Sequence, residues 1–116
     1  MSLWEVKKPT PHMVELCESL GDKYSIGVID LERIIYRDLG TGYDIEISEV
    51  NPSSPRRTAT IYLWRNKNVI VRALKGVPQD SIGKYVEELK SFAEGLTEDD
   101  FDGGGFYKGE RYIHVS

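Results

Sequence analysis

Residues 57–74, RTATIYLWRNKNVIVRAL, form the densest block of β-branched and aromatic side chains in the sequence, broken only by the polar run Arg65-Asn66-Lys67-Asn68. Two such arms around a polar turn predict a β-hairpin. Side chains alternate along a strand, so Ala59, Ile61 and Leu63 fall on one face and Thr58, Thr60, Tyr62 and Trp64 on the other. Neither face is plainly polar, and the hairpin therefore needs cover on both sides. Turn parity sets whether Val69 and Val71 share a face with Leu63 or with Trp64, and both registers stay open at this level.

Helices supply the first cover. Thr10-Pro11 places a hydroxyl at a helix N-cap and proline at the first helical position, where its missing N–H costs nothing. Met13, Leu16, Cys17 and Leu20 follow at helical spacing, and Gly21 closes the helix. A second, longer helix is expected after Gly76-Val77-Pro78, which should end the sheet. Ile82, Val86, Leu89, Ala93 and Leu96 form its stripe, widened by Tyr85 and Phe92, and Asp80 and Ser81 sit near its positive end. It is expected to lie across the face carrying Ile45, Ile47, Ile61 and Leu63.

Between the first helix and the hairpin, residues 22–30 read as extended. Glu32 to Ser48 read as a second hairpin about Gly40-Thr41, glycine taking the first central position of a type II′ turn. That turn pairs Tyr36 with Ile45, Ile34 with Ile47 and Arg37 with Asp44. One face becomes apolar and the other charge-paired, and this agreement of pattern and turn chemistry favours the hairpin over a helix spanning 30–39. Asn51-Pro52-Ser53-Ser54-Pro55 is a loop by composition, and Ser54-Pro55-Arg56-Arg57 is read as exposed connection rather than a docking motif. Residues 1–97 are expected to form a single α+β domain. Residues 98–116, acidic and then glycine-rich, are expected to be a loose segment with a marginal edge strand near Tyr112 and His114.

The expected architecture is thus α+β: a short helix, an antiparallel meander of about four strands and a longer amphipathic helix on one sheet face. A length of 116 residues suits one domain with a real core. The formal charge of -4 points away from nucleic acid, whose binders carry basic stripes. One cysteine, Cys17, forms no internal disulfide, and no long apolar run suggests a membrane span, so the expected compartment is the cytoplasm.

Local signatures of chemistry fail one by one. Glu98, Asp100 and Asp102 alternate as in a calcium loop, but Gly109 occupies the place of the bidentate glutamate. The Gly103-Gly104-Gly105 run lacks the lysine and Ser/Thr of a phosphate loop and reads as a flexible hinge. His12 and His114 have no ligand-spaced neighbours, and Cys17 lies on an apolar stripe, so neither a metal nor a cofactor is expected. What is left is a surface: Tyr62 and Trp64 with Arg37, Asp44, Glu46 and Arg72 beside them, opposite the long helix. Aromatic and arginine side chains with a charged rim are the composition of an interface. The expectation is a non-enzymatic interaction module binding a protein partner or a second copy as a homodimer. The alternative is a small-ligand or catalytic pocket between this face and the C-terminal segment, with single-stranded base stacking on Tyr62 and Trp64 a third option that the acidic charge weakens.

Overall fold

In a computed structural model, residues 8–29, 32–50 and 58–115 are described; residues 51–57, with the expected loop and its Ser-Pro-Arg-Arg run, lie outside them. The elements follow in the order α1 (Pro11–Leu20), β1 (Ser25–Ile29), β2 (Glu32–Asp38), β3 (Tyr43–Ser48), β4 (Thr58–Arg65), β5 (Val69–Pro78), α2 (Ile82–Glu94) and β6 (Tyr112–His114). All six strands join one sheet in sequence order. The first five are an antiparallel meander, and β6 adds parallel to β5, with Ala73 beside Tyr112 and Lys75 beside His114. The sheet is therefore mixed and six-stranded, not the four-stranded antiparallel meander that strand spacing suggested. The parallel partner requires the chain to travel through α2 and back, a crossover that no hairpin signal announces.

Both helices take the same face. Ile35, Ile45, Ile47, Ile61, Leu63, Val71 and Val77 form one buried cluster with Met13 and Cys17 of α1 and Ile82, Val86, Leu89 and Ala93 of α2. Each helix forms where its ends predict: the Thr10 hydroxyl accepts the Met13 N–H at 3.2 Å, and Gly21 turns away at φ +115°. A 3-10 turn at Gln79–Ser81 leads into α2.

Three local readings are corrected. First, the β2–β3 connection is a loop of Leu39 to Gly42, with Gly40 and Gly42 both at positive φ and the Leu39 N–H bonded to the Tyr43 carbonyl. The register moves by one residue: Tyr36 faces Glu46, Arg37 faces Ile45, and Asp38 faces Asp44. A one-residue shift exchanges faces, so Arg37 turns toward the helices and Tyr36 away from them. Second, Gly76-Val77-Pro78 ends β5 as expected, but from within it: the strand runs past Leu74 and pairs with β4 through Pro78. Gly76 bends at φ +73° within β5, and a side chain there would meet the His114 ring at 2.8 Å.

Third, the C-terminal segment is ordered rather than loose, and its expected edge strand near Tyr112 and His114 forms as β6. Thr97 and Asp100 cap a short 3-10 turn, and the Asp102 carboxylate accepts the Gly104 and Phe106 N–H groups, holding the triple glycine as a turn. Phe101 and Tyr107 dock on the helix side, where Tyr107 meets Phe92 edge-on at 5.7 Å. Two arginines fasten the segment: Arg65 lies 3.7 Å over the Phe101 ring and pairs with Glu98, and Arg72 lies 3.9 Å over Phe92 and donates to the Glu110 carbonyl. Cation–ring contacts of this kind contribute about 0.5–2 kcal/mol each.

Leu89 is 2% exposed in the centre of α2. Leu89→Ala is expected to lower unfolding free energy by about 2–5 kcal/mol in urea denaturation, while Glu88→Ala on the wet side changes it by less than about 0.5 kcal/mol. Arg72→Ala is expected to speed amide exchange at Tyr112–His114 more than in the central strands, read by hydrogen exchange with mass spectrometry.

Candidate functional site

Strand β3 sets the site. Ile45 and Ile47 enter the core, so Asp44, Glu46 and Ser48 must project from the opposite face, where neither helix lies. β4 repeats the alternation beside it: Ile61 and Leu63 point inward, while Thr60, Tyr62 and Trp64 stand next to Ser48, Glu46 and Asp44. Among the described residues neither helix covers this face, whose centre is polar and whose walls are aromatic. Asp44 is 5% exposed and Glu46 7%, low values for carboxylates on a surface that no helix covers.

Their neighbours explain how they stay buried. The Trp64 indole N–H donates to Glu46 Oε1 at 3.0 Å, and the Tyr36 hydroxyl is hydrogen-bonded to Asp44. Leaving a buried carboxylate oxygen without a donor costs about 1–3 kcal/mol or more, so these two ring donors are what let carboxylates occupy the face. Tyr62 leans on Trp64 at 6.5 Å between ring centroids. Beside them the Thr60 hydroxyl donates to Glu49 at 2.7 Å, and Glu49 itself stands at φ +63°, a left-handed position unusual for glutamate.

Ionisation follows this placement. Burial first, then the hydrogen bond to Asp44 and the charges of Asp44 and Asp38, push the Tyr36 phenol up to about 12. Burial also raises Tyr62, helped by the charges of Glu49 and Glu46. On the helix side, the Cys17 thiol is raised by burial and by Glu18, which keeps it in the poorly nucleophilic thiol form.

A concavity of about 450 Å³ lies on this face, lined by Tyr36, Asp44, Glu46 and Trp64 on its inner side, by Ile34 and by Ser25, Gly27, Val28 and Ile29 of β1 toward the sheet edge, with the Lys67 cation among the lining residues. A second concavity of about 280 Å³ beside it shares Ile29, Glu46 and Trp64 and is also lined by Glu32, Ser48, Glu49, Tyr62 and Ile70. Of the six side chains expected to act together, Tyr62, Trp64, Asp44 and Glu46 are brought together here. Arg37 and Arg72 are not. Arg37 stacks over Tyr24 and donates to the Tyr24 hydroxyl at 3.1 Å and to Glu87 at 3.4 Å. Burial works against its charge, but those two oxygens hold its pKa above the ordinary value. Arg72 is turned to the helix side by register shifts between β4 and β5 and is spent on Phe92.

Tyr36, Glu32 and Glu49 are the contributors that sequence reasoning missed. The signal for Tyr36 was the spacing of Gly40 and Gly42, which allows two left-handed loop residues and so a longer connection. Among the described residues no group of three or more His, Cys, Asp or Glu is arranged to hold a metal ion, and no helix is long and apolar enough to cross a membrane.

These features define an α+β domain with two helices on one sheet face and, on the other, a concavity lined by two carboxylates, aromatic rings and Lys67. No family model matches the chain, and no curated protein or solved structure matches it either.

The Tyr36 pKa has a stability consequence whose sign is fixed. The folded phenol ionises at about 12 against an ordinary value of 10, so the unfolded chain loses its proton first as pH rises. Stability contributed by the neutral phenol is complete below pH 10 and is lost between there and 12. Denaturation midpoints measured across that range should fall less steeply in Tyr36→Phe than in the parent.

Proposed function

We propose that the protein is a non-enzymatic interaction module whose open sheet face, formed by Tyr36, Asp44, Glu46, Tyr62 and Trp64, receives a basic segment of a protein partner. The observation that carries this reading is the pair of buried carboxylates, Asp44 and Glu46, each oriented by an aromatic donor at the floor of a concavity. Planar guanidinium groups both pair with carboxylates and stack on rings, the two kinds of group that this face brings together. Glu32 and Glu49 extend the negative field along the same face.

Charge also chooses between partners. A symmetric homodimer through this face would set Asp44, Glu46 and Glu49 against their own copies, which opposes association. A basic partner removes that conflict and gains steering from the overall charge of -4. A small cationic ligand is a second reading, favoured by the volume of about 450 Å³, which falls in the usual range of about 300–1,000 Å³ for ligand pockets.

The test uses a short peptide alternating arginine and threonine, with binding read from Trp64 emission. The parent should bind it, more weakly as salt rises, and the double variant Asp44→Asn, Glu46→Gln should bind about tenfold or more weakly. Both substitutions keep the acceptors for Tyr36 and Trp64. The control Glu88→Gln, Glu94→Gln changes net charge equally on the far side of α2 and should leave affinity unchanged. Equal loss in both double variants, or no binding by the parent, overturns the proposal. Free argininamide binding as tightly as the peptide would favour the small-ligand reading.

A further inference from the structure

The register step that turns Arg37 away from the acidic face delivers it to a separate concavity on the helix side. This space of about 410 Å³ lies between the end of α1 with the turn after it, at Leu20 to Tyr24, and α2, where Gly83, Glu87 and Lys90 share one helix face. Arg37 of β2 lines it and is 6% exposed.

The Arg37 guanidinium is only partly used. Its Nη1 donates to the Tyr24 hydroxyl at 3.1 Å and reaches Glu87 at 3.4 Å, whereas Nε is buried and has no hydrogen-bond partner among the described residues. Nε and Nη2 form the side edge with which a guanidinium grips a carboxylate through two parallel N–H bonds. Buried donors are almost always paired in folded proteins, so an unpaired Nε marks a place where an acceptor is missing. Glu87 does not supply it, because its side chain is 64% exposed and its contact is with Nη1.

Charge and shape agree with an added anion. Lys23, Arg37 and Lys90 line the concavity against Asp22 and Glu87, which leaves one positive charge in excess in a chain whose total is -4. Among the described residues neither Lys23 nor Lys90 is paired with a carboxylate. Gly83 sits in the first turn of α2, where glycine is a poor helix former, yet a side chain there would meet only Leu20 Cδ2 at 3.8 Å, an ordinary contact. Packing therefore does not demand glycine, and its missing side chain keeps α2 clear of Leu20 and leaves the space between them free.

We infer that this concavity binds a small organic monocarboxylate, gripped by the Nε edge of Arg37 and flanked by the Lys23 and Lys90 ammonium groups. A single negative charge matches the single positive excess, and Leu20 and Tyr24 offer apolar surface to the rest of the molecule. A phosphate monoester would bring a second negative charge against Asp22 and Glu87. The site lies on the opposite side of the sheet from the acidic face and does not depend on what binds there.

The test follows the Arg37 Nε–H resonance, assigned through its own backbone in isotopically labelled protein, as sodium benzoate replaces sodium chloride at constant ionic strength. The resonance should move downfield and saturate, as a donor does when it gains a carboxylate acceptor. Lys23→Gln with Lys90→Gln should weaken benzoate binding about tenfold, and Lys75→Gln with Lys108→Gln, which removes the same charge elsewhere, should leave it unchanged. An Nε–H that does not respond to benzoate overturns the inference. Equal loss in the two double variants overturns it as well, since it would report net charge and no site. Inorganic phosphate binding as tightly as benzoate would overturn the assignment to a carboxylate.

Discussion

Everything on the open face depends on the two-residue alternation of β3. Ile45 and Ile47 are wholly buried in the core shared by both helices, and that burial locks the strand against slipping, because a shift of one residue would drive Asp44 and Glu46 into the core. Burying each isoleucine contributes about 1.5–3 kcal/mol, and forcing an unpaired carboxylate inward costs several times that. The positions of the acids are thus dictated from the far side of the sheet. Because α1, α2 and the Phe101/Tyr107 segment all dock on that far side, the acidic side is left without a helix.

A carboxylate cannot simply be left half-desolvated on such a face, and the aromatic residues resolve the problem. Trp64 and Tyr36 each present a ring that excludes water and a donor that satisfies the acid, so one side chain lowers the exposure of Glu46 or Asp44 and compensates for it. The same arrangement fixes the acids in place before anything binds. Preorganisation of this kind reduces the ordering that a cationic partner would otherwise impose, and it is the physical content of the proposed binding face. The arginines show the opposite solution. Arg37, Arg65 and Arg72 all lie on the helix side, over Tyr24, Phe101 and Phe92, and act as fasteners between layers.

Much of this was legible in the sequence, for reasons that can be named. The hairpin of β4 and β5 follows from two apolar arms around a polar turn, and Asn66 and Lys67 take the left-handed conformations that the turn needs. Both helices follow from their stripes and ends, and the faces of Tyr62 and Trp64 follow from alternation alone. The β2–β3 register was not legible, because Gly40-Thr41 offers a good two-residue turn and only the competition among Ile34, Ile35, Ile45 and Ile47 for the core decides between registers one residue apart. Arg37 was misplaced by that single step. Arg72 was misplaced by the register shifts between β4 and β5, which no pattern in the strands announces. The edge strand near Tyr112 and His114 was legible from its alternation, but its parallel pairing with β5 and the Asp102-capped glycine turn depend on contacts distant in sequence, so local propensity reads the glycine run as loose.

The account stands or falls on whether the indole of Trp64 faces an open, negatively charged surface. The chain has two tryptophans, so a Trp4→Phe background leaves one emitter. Stern–Volmer quenching by caesium and by iodide at equal ionic strength reads the sign of the local field directly. Caesium should quench more strongly than iodide, and Asp44→Asn with Glu46→Gln should narrow the difference. Equal quenching by both ions, a preference for iodide, or an indole that neither ion reaches would contradict it.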